Sequence, residues 1–417
     1  MTQTAGVPDT RIAALAAREA EAYSAARPKT RAALQAGAAA YLDGVPLHWM
    51  KDWPQPFPML VAQAKGATLV DIDGNELDDF CLGDTGSMFG HSPAPIARAI
   101  KQQAGNGLTY MLPTEDALAA GALLSETFVD MRWQIATTAT DANRFALRVA
   151  RAVTGRPKVL VFNGCYHGTI DEAMVTLDEG GTTITRPGLL GQAADLTLTG
   201  VCCEFNDLAA VEAALAKGDV AAILTEPVMT NSCMVLPEPG FHEGLRALAT
   251  KYGTLLMIDE THTISSGHGG YTRVHGLQPD IFVVGKCVAG GMPTSVWGLS
   301  PSVSQRYLEV NAGRASGHSG MGTTLSANPM QFACLKATLG EVMTEKNYAK
   351  MEKGAARLHR GLAKAIKAHK APWHVVRVGA RVEFICYPTP LRDGKEAAQA
   401  HTSLSIIVSY SMAMVVS

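Results

Sequence analysis

The sequence predicts an α/β fold in which helices cover both faces of a mostly parallel sheet. Four short apolar runs rich in β-branched residues indicate buried strands, and they span residues 157–162, 220–227, 253–260 and 280–286. Segments between these runs have apolar residues at helical spacing and end at glycine. Strands that alternate with helices favour a parallel sheet, because a parallel connection needs a crossover that is usually a helix.

The two flanks of this region have a different pattern. Residues 66–80, "GATLVDIDGNELDDF", predict a β-hairpin with Asp73 and Gly74 at its turn. Residues 347–370 predict a basic helix, and residues 373–388 predict another pair of strands. We therefore expect a smaller α+β domain that is built from both ends of the chain.

The chain is expected to divide into three parts. Residues 1–75 supply an alanine-rich amphipathic helix, with Asp9 or Thr10 as its cap, and part of the smaller domain. Residues 76–322 form the large domain, and residues 323–417 complete the smaller one.

The composition excludes several classes of protein. Of the 417 residues, 47% are hydrophobic and 18% are charged, so a sizeable core is expected rather than disorder. The net charge of -2 argues against a nucleic-acid or anionic-membrane partner. Eight scattered cysteines without a C-x-x-C pair indicate reduced thiols and no structural metal site. No signal-like start and no apolar run of membrane-spanning length is present, so a cytoplasmic protein is predicted.

Ionisable residues follow three of the predicted strands. Glu226, Asp259 and Lys286 stand where the apolar runs end. The carboxyl ends of parallel strands meet at one edge of a sheet, which is where open α/β sheets bind ligands. The sequence therefore predicts that these three side chains share one site.

Each of these residues also has an ordinary interpretation. A lysine after a buried strand can be a solvated loop residue, or it can be partly desolvated and act as an amine nucleophile towards a carbonyl. Asp259 alone can be a strand-end cap. The sequence around them decides between these interpretations.

Two neighbouring segments favour a phosphate-bearing aromatic cofactor. Residues 138–141, "TATD", precede a strong helical pattern, and free N–H groups at a helix N-terminus bind phosphate, although the same pattern is typical of an ordinary N-cap. Tyr166 follows the first strand and can lie against a ring, or it can be a core tyrosine. Together with Lys286 and Asp259, these features match the needs of pyridoxal phosphate, whose electronics the protein tunes through such contacts.

In this order along the chain, the motifs resemble the class III aminotransferases of fold type I, and within that family the glutamate-1-semialdehyde aminomutases. The resemblance covers residues 58–379 and includes "LVDIDGNELDDF", "ALRVARAVTGR", "CYHG", "AAILTEPV", "GTLLMIDET" and "PDIFVVGKCVAGGMP". It implies a fold type I transferase that depends on pyridoxal phosphate and acts on small molecules.

The resemblance also implies roles for single residues. Lys286 matches the Schiff-base lysine, Asp259 the partner of the pyridinium nitrogen, and Tyr166 the stacking aromatic residue. It places Thr138, Ala139 and Thr140 at the phosphate, Thr261 on the ring face opposite Tyr166, and His262 near the phenolic oxygen of the cofactor. Glu226 matches the acidic residue of the "EP" strand end. Thr324 matches a threonine that reaches the phosphate of the neighbouring subunit, which implies a homodimer.

The substrate shell departs from the aminomutase pattern. An arginine and a serine of the N-terminal loop are replaced here by apolar residues around Trp49, with Lys51 nearby, and Asp84 stands in place of a pocket tryptophan. Asn231 is retained. The uncharged end, residues 403–417, does not match the family's last helix and strand, and it is predicted to be a buried strand or a packing segment.

These departures lead to the functional prediction. We expect an aminotransferase that moves an amino group between an amine or amino acid and an oxo acid, ketone or aldehyde, and that prefers apolar or aromatic donors. One alternative is the intramolecular reaction of an aminomutase on glutamate 1-semialdehyde. A second is a non-catalytic protein with the aminotransferase fold.

Overall fold

A computed structural model describes residues 9–53 and 55–400. The predicted segment 403–417 lies outside these ranges. The helices α1 to α12 are Asp9–Ala25, Pro28–Gly37, Ala94–Ala104, Glu115–Thr127, Ala139–Thr154, Leu208–Leu215, Phe241–Tyr252, Gly270–His275, Pro301–Ala312, Pro329–Ala337, Glu345–His369 and Gly394–Ala400. The strands β1 to β14 are Val61–Lys65, Thr68–Asp71, Glu76–Asp78, Arg132–Ala136, Lys158–Phe162, Val175–Leu177, Thr183–Thr185, Gly200–Cys203, Val220–Thr225, Leu255–Asp259, Ile281–Val284, Ser295–Leu299, His374–Val378 and Arg381–Ile385.

A seven-stranded sheet in the order β4-β12-β11-β10-β9-β5-β8 forms the centre of the protein. Its neighbouring strands pair in parallel except where β12 pairs with β11 and β4. The prediction of a mostly parallel sheet is therefore confirmed, and the four predicted strands are β5, β9, β10 and β11.

Alternate residues of the strands pack on opposite faces of this sheet, as the pleat requires. Val161 and Met257 lie in a core with α5, whereas Leu160 and Ile258 lie in a core with α6 and α7. On the α6 side, a further part of the sheet is covered by α4 and α10 through contacts with Phe282. Both faces are thus buried, which explains why the strands read as continuous apolar runs. No helix in the described parts of the chain has the length and apolarity to cross a bilayer.

The predicted hairpins of the flanks are present as β2–β3 and β13–β14. Gly74 has a φ of 94°, a conformation that glycine adopts without a steric penalty. The long helix α11 packs against β13 and β14. The domain boundaries at 75 and 322 stay a prediction; α10, which follows the second boundary, packs in the same core as Phe282 of the large sheet.

The N-terminal segment forms two helices, because Pro28 at the first position of α2 cannot continue α1. The carboxylate of Asp73 accepts hydrogen bonds from the backbone N–H groups of Lys29 and Thr30, at 2.7 and 3.0 Å, and so caps α2. Arg27 Nε lies 3.0 Å from Asp71 Oδ2, and these side chains are only 3% and 0% exposed. A buried ion pair therefore holds the helices against the β2–β3 hairpin.

This ion pair generates a first prediction. Arg27→Met removes the cation and leaves the Asp71 carboxylate buried without its charge partner, which typically costs about 3–5 kcal/mol. We expect faster amide hydrogen exchange in α2, β2 and β3 than in the unaltered protein. Arg18→Met, at an exposed pair with Glu19, is the matched control. Equal exchange rates in the two variants would contradict the assignment.

Candidate active site

A cavity of about 360 Å³ lies at the carboxyl edge of the large sheet. Its wall includes nine of the residues that the sequence predicts as cofactor contacts: Thr138, Ala139, Thr140, Tyr166, Glu226, Asp259, Thr261, His262 and Lys286. The volume lies within the range of small-molecule sites.

The sheet explains why these residues meet. The segments after β4, β5, β9, β10 and β11 all leave the sheet at the same edge. Each contributes polar side chains there, and the buried strands behind them fix their positions. Residues more than a hundred positions apart in the sequence therefore share one cavity.

The buried Asp259 carboxylate lies at the floor of the cavity, and three groups donate to it. Its Oδ2 is 3.0 Å from His167 Nδ1 and 2.9 Å from Asn143 Nδ2, and its Oδ1 accepts the N–H of Thr261 at 3.1 Å. Asn143 also donates to the carbonyl oxygen of His167 at 3.1 Å. The carboxylate is thus fixed by β5, α5 and β10 together.

Burial alone would favour the neutral forms of this pair, but the two groups stabilise each other's charge. Burial raises the pKa of Asp259, and the hydrogen bond and charge of His167 outweigh it, so that the pKa falls to about 2. Burial lowers the pKa of His167, and its interactions with Cys165 and Asp259 outweigh it, so that this pKa rises to about 10. Asp259 is therefore an anion across the physiological pH range.

Glu226 has the opposite character. It lies at the end of β9, between the ends of β5 and β10, and its Oε2 accepts hydrogen bonds from Thr230. Burial raises its pKa to about 7, against the lowering effect of His167. Its Oε1 is buried without a hydrogen-bond partner among the described residues. The group can therefore hold a proton at the cavity wall.

Lys286 begins the short turn that follows β11, and its φ of 48° is uncommon for a residue with a side chain. Such a conformation costs free energy and persists where the surroundings enforce it, often at functional sites. Its Nζ lies 3.2 Å from Asp84 Oδ2. Burial raises the pKa of Asp84, but His262, Lys286 and Arg381 together hold it below its ordinary value. The lysine at the end of the strand is thus directed to the cavity and paired with a carboxylate, rather than solvated in a loop.

The N-terminus of α5 supplies an anion site. Thr138 is the N-cap, and its hydroxyl accepts the N–H of Asp141 at 3.1 Å. The first N–H groups of a helix have no partner within the helix, and Ala139 and Thr140, the first two residues of α5, line the cavity. Gly168 has no side chain to collide with Thr140, which lets the turn after β5 approach this helix.

His262 lies on the wall next to Lys286 and contacts residues from distant segments. Its Nδ1 is 3.1 Å from Thr85 Oγ1 and 3.3 Å from Arg381 Nη1. Burial, with the positive charge of Lys286, lowers the pKa of His262 to about 3. The ring is therefore neutral near pH 7.

Some predicted residues do not reach this cavity. Trp49 is 49% exposed, and Asn231 and Thr324 are also exposed and outside the cavity wall. Lys51 forms an ion pair with Asp43 instead of contacting the cavity. These positions belong to loops and short turns, where no strand fixes the direction of the side chain.

Known proteins resemble this chain in sequence and in structure. The model of the family "Aminotransferase class-III" matches residues 49–398. A glutamate-1-semialdehyde 2,1-aminomutase from Anaeromyxobacter sp. (strain Fw109-5) is 33% identical over 354 residues, which cover 83% of this chain and 80% of the relative.

The chain belongs to the class III aminotransferase family.

Solved structures agree with this assignment. A glutamate-1-semialdehyde-aminomutase from Pseudomonas aeruginosa PAO1 has a TM-score of 0.95 and 46% identity, covering 98% of this chain and 91% of its own. A K286A form from the same bacterium, in complex with PMP, gives the same values. An omega-transaminase from Sphaerobacter thermophilus has a TM-score of 0.82 and 26% identity, covering 90% and 86%. The predictions of a fold type I aminotransferase structure and of a family enzyme are confirmed.

The cofactor of this class III aminotransferase is pyridoxal phosphate, as predicted, and the residues present fit it. Buried hydroxyls of Thr261 and Thr294 lie at the cavity wall without a hydrogen-bond partner among the described residues. The free N–H groups of α5 suit the phosphate, the anionic Asp259 suits a protonated ring nitrogen, and the amine of Lys286 suits the aldehyde.

Sequence reasoning gave no role to three residues of this site. His167 lies in the motif "CYHG" directly after β5, and a histidine at a buried strand end indicates a possible ion-pair partner. Asn143 is a polar residue on the apolar face of α5, which indicates a buried hydrogen bond. Arg381 lies in a hairpin far along the chain, and no local pattern connects it to His262.

The charge of Asp259 generates a second prediction. Asp259→Asn keeps the shape but removes the anion that would stabilise a protonated ring nitrogen. We expect kcat to fall by roughly 100-fold, the scale of losing one preorganised electrostatic contact. The dissociation constant for pyridoxal phosphate should change less than kcat. Asp130→Asn, at an exposed pair with Arg132, is the control. Near-native turnover in Asp259→Asn would remove this carboxylate from the site.

Glu226 generates a pH prediction for the cofactor-free protein. Its pKa is 4.5 ordinarily and about 7 when folded, so between these values the folded protein holds a proton that the unfolded chain has lost. The contribution of this group to the free energy of unfolding is therefore largest below pH 4.5. It decreases by about 3 kcal/mol as the pH rises to 7. Denaturation at pH 5 and pH 8 should show that Glu226→Gln loses less stability over this interval than the unaltered protein. An identical loss in both proteins would show that Glu226 does not titrate as the structure indicates.

Proposed function

We propose that this class III aminotransferase is a glutamate-1-semialdehyde 2,1-aminomutase, which moves an amino group within one substrate molecule. The observation that supports the proposal is that similar proteins found by sequence and by structure both include proteins of that name. The family match, over residues 49–398, includes the strand ends that build the cavity.

The residues of the cavity suit this chemistry. Bound pyridoxal phosphate supplies an aldehyde that takes up amines and a ring that accepts electrons. Lys286 Nζ would hold the aldehyde of the cofactor and, as a free amine, would accept a proton from one carbon of the substrate and donate it to another. Asp259 would keep the ring nitrogen protonated, and Tyr166, which is 43% exposed at the cavity wall, would cover the ring.

The proposed reaction is balanced without a second substrate. Carbon 2 of glutamate 1-semialdehyde loses an amino group and one hydrogen and becomes a ketone, while the aldehyde carbon 1 gains an amino group and one hydrogen. The aldehyde oxygen leaves as water, and a second water supplies the ketone oxygen. The product, 5-aminolevulinate, is an isomer of the substrate. No external amino acceptor is consumed.

The predicted preference for apolar amines has less support than the aminomutase reaction. An unpaired Asp84 carboxylate facing the pocket would repel an anionic substrate and so favour a neutral or cationic one. Asp84 is instead paired with Lys286 Nζ at 3.2 Å, in the neighbourhood of Arg381. The similarity to an omega-transaminase keeps an intermolecular transfer as the second candidate.

We also propose a cytoplasmic homodimer in which Thr324 contacts the cofactor of the neighbouring subunit. Thr324 is exposed and lies outside the cavity wall of its own chain. Leu325, next to Thr324 in the sequence, is strongly exposed, and so are three apolar side chains of the N-terminal half, Met111, Leu112 and Leu118. Exposed apolar side chains are typical of a surface that a partner covers.

A product assay distinguishes the two reactions. The purified enzyme is given glutamate 1-semialdehyde, and separately an aliphatic or aromatic amine with pyruvate. We expect 5-aminolevulinate in the first assay and little alanine in the second, with both lost in Lys286→Ala. Alanine formation without 5-aminolevulinate would replace the proposal by an intermolecular aminotransferase.

Chemical trapping tests the role of Lys286 independently of the substrate. Borohydride reduction of the cofactor-loaded protein should bleach its visible absorbance and leave the cofactor covalently attached to Lys286, as seen by peptide mass spectrometry. Lys286→Ala should still bind the cofactor through α5 and Asp259 but yield no adduct. An adduct on another lysine would refute the assignment.

A further inference from the structure

His262 occupies a crossing point between the cavity and the C-terminal hairpin. Its Nδ1 lies 3.1 Å from Thr85 Oγ1 and 3.3 Å from Arg381 Nη1, and the same Arg381 nitrogen donates to Thr85 Oγ1 at 3.3 Å. Arg381 is itself held by Glu383, whose Oε1 accepts from its Nε and Nη2 at 3.0 and 2.8 Å. His262 Nδ1, Thr85 Oγ1 and Arg381 Nη1 therefore form a closed triangle.

The chemistry of this triangle fixes the positions of its protons. A guanidinium group has five N–H donors and no acceptor, so Arg381 donates both to Thr85 and to His262. The Thr85 hydroxyl, having accepted from Arg381, still has its own proton to donate, and Nδ1 is the neighbouring acceptor. The contact with Arg381 requires an Nδ1 without a proton, because a guanidinium cannot accept a hydrogen bond, and the Thr85 hydroxyl can donate to the same nitrogen.

A neutral imidazole with a bare Nδ1 must have its proton on Nε2. The ring lines the cavity, whereas Thr85 and Arg381 are behind it and do not line the cavity. Within residues 9–53 and 55–400, the hydrogen bonds of the His262 ring are made by Nδ1 and none by Nε2. We infer that Arg381 and Thr85 are positioning residues that hold His262 as the Nε2–H tautomer, a fixed hydrogen-bond donor for an anionic oxygen bound in the cavity.

The surrounding charges leave the ring neutral. Asp84 Oδ1, from the loop after β3, is 3.8 Å from Nδ1 and by itself favours protonation there. Lys286, from the turn after β11, pairs with Asp84, and Arg381 adds a second positive charge from β14. Asp259, at the end of β10, is committed to His167. Burial and the two cations therefore outweigh the two carboxylates, in agreement with a lowered pKa of about 3 for His262.

This assignment separates His262 from the residues that move protons. A ring whose proton is held on Nε2 donates a hydrogen bond without changing its charge, so it stabilises a negative oxygen but is not a general base near pH 7. The inference holds for either of the two reactions considered above. It depends on the geometry around Nδ1, not on the identity of the substrate.

Nitrogen-15 NMR of the histidine rings tests the inference in the cofactor-loaded protein. His262→Gln identifies the resonances by their loss. We expect a protonated Nε2 and a bare Nδ1 for His262, with no titration between pH 5 and pH 8. A proton on Nδ1, or titration within this range, would overturn the inference.

Variants of the hairpin test the role of the positioning residues. Arg381→Met should allow the proton to populate Nδ1, towards Asp84, and Thr85→Val should shift the same equilibrium in the same direction. Arg377→Met, at an exposed residue of the same hairpin, is the matched control and should leave the tautomer unchanged. If Arg381→Met does not fold, the tautomer of the unaltered protein decides the question. A folded Arg381→Met with the unaltered tautomer would remove Arg381 as a positioning residue.

The source of the anionic oxygen is tested by adding two probes in turn to the cofactor-free protein. A shift of the Nε2–H resonance on addition of pyridoxal phosphate would place an oxygen of the cofactor at His262. A shift only after subsequent addition of glutarate would place a carboxylate of the substrate there. A resonance that responds to neither probe would refute the role as a donor.

Discussion

The site depends on one buried ion pair, Asp259 with His167. Burying a carboxylate and an imidazolium costs several kcal/mol for each ion, and this cost is offset only when the geometry is good and further hydrogen bonds satisfy the remaining atoms. Here the separation is 3.0 Å, and Asn143 from α5 donates to the same carboxylate oxygen. The pair can therefore form only when three elements are correctly placed relative to one another: the turn after β5, the end of β10 and the N-terminal half of α5. The same placement of these elements forms the cavity.

The residues in and around this cavity differ in charge. The floor has an anion, Asp259, and Glu226 beside it retains a proton because of its burial and the neighbouring charge. The cation Lys286 at the wall pairs with Asp84, and Arg381, which is outside the wall, donates to the neutral His262 ring. A cofactor that needs a protonated ring nitrogen at one end and a reactive aldehyde near an amine at the other fits this arrangement. The strained backbone of Lys286 fits the same account, since a residue with a positive φ persists where the structure holds it.

Whether a site residue could be predicted from the sequence depends on the element in which it lies. Asp259 and Lys286 directly follow buried apolar runs, and the ends of such runs meet at one edge in any parallel sheet, so their proximity was predictable. His167 and Asn143 are polar residues inside apolar surroundings, and their common partner is visible only after β5 and β10 are placed two strands apart with β9 between them. The contact of Arg381 with His262 could not be predicted, because the sequence pattern of a hairpin does not show which part of the large domain the hairpin packs against. Trp49 and Asn231 belong to loops, whose paths depend on packing rather than on periodicity, and this is why the expected substrate contacts are not found at the cavity wall.

The most direct test of this account is a crystal structure of the protein with bound pyridoxal phosphate. The account predicts that the ring nitrogen lies within hydrogen-bonding distance of the Asp259 carboxylate, that the phosphate lies at the N-terminus of α5, and that the aldehyde carbon is bonded to Lys286 Nζ. A cofactor whose ring nitrogen faces away from Asp259, or whose aldehyde carbon is bonded elsewhere, would contradict it.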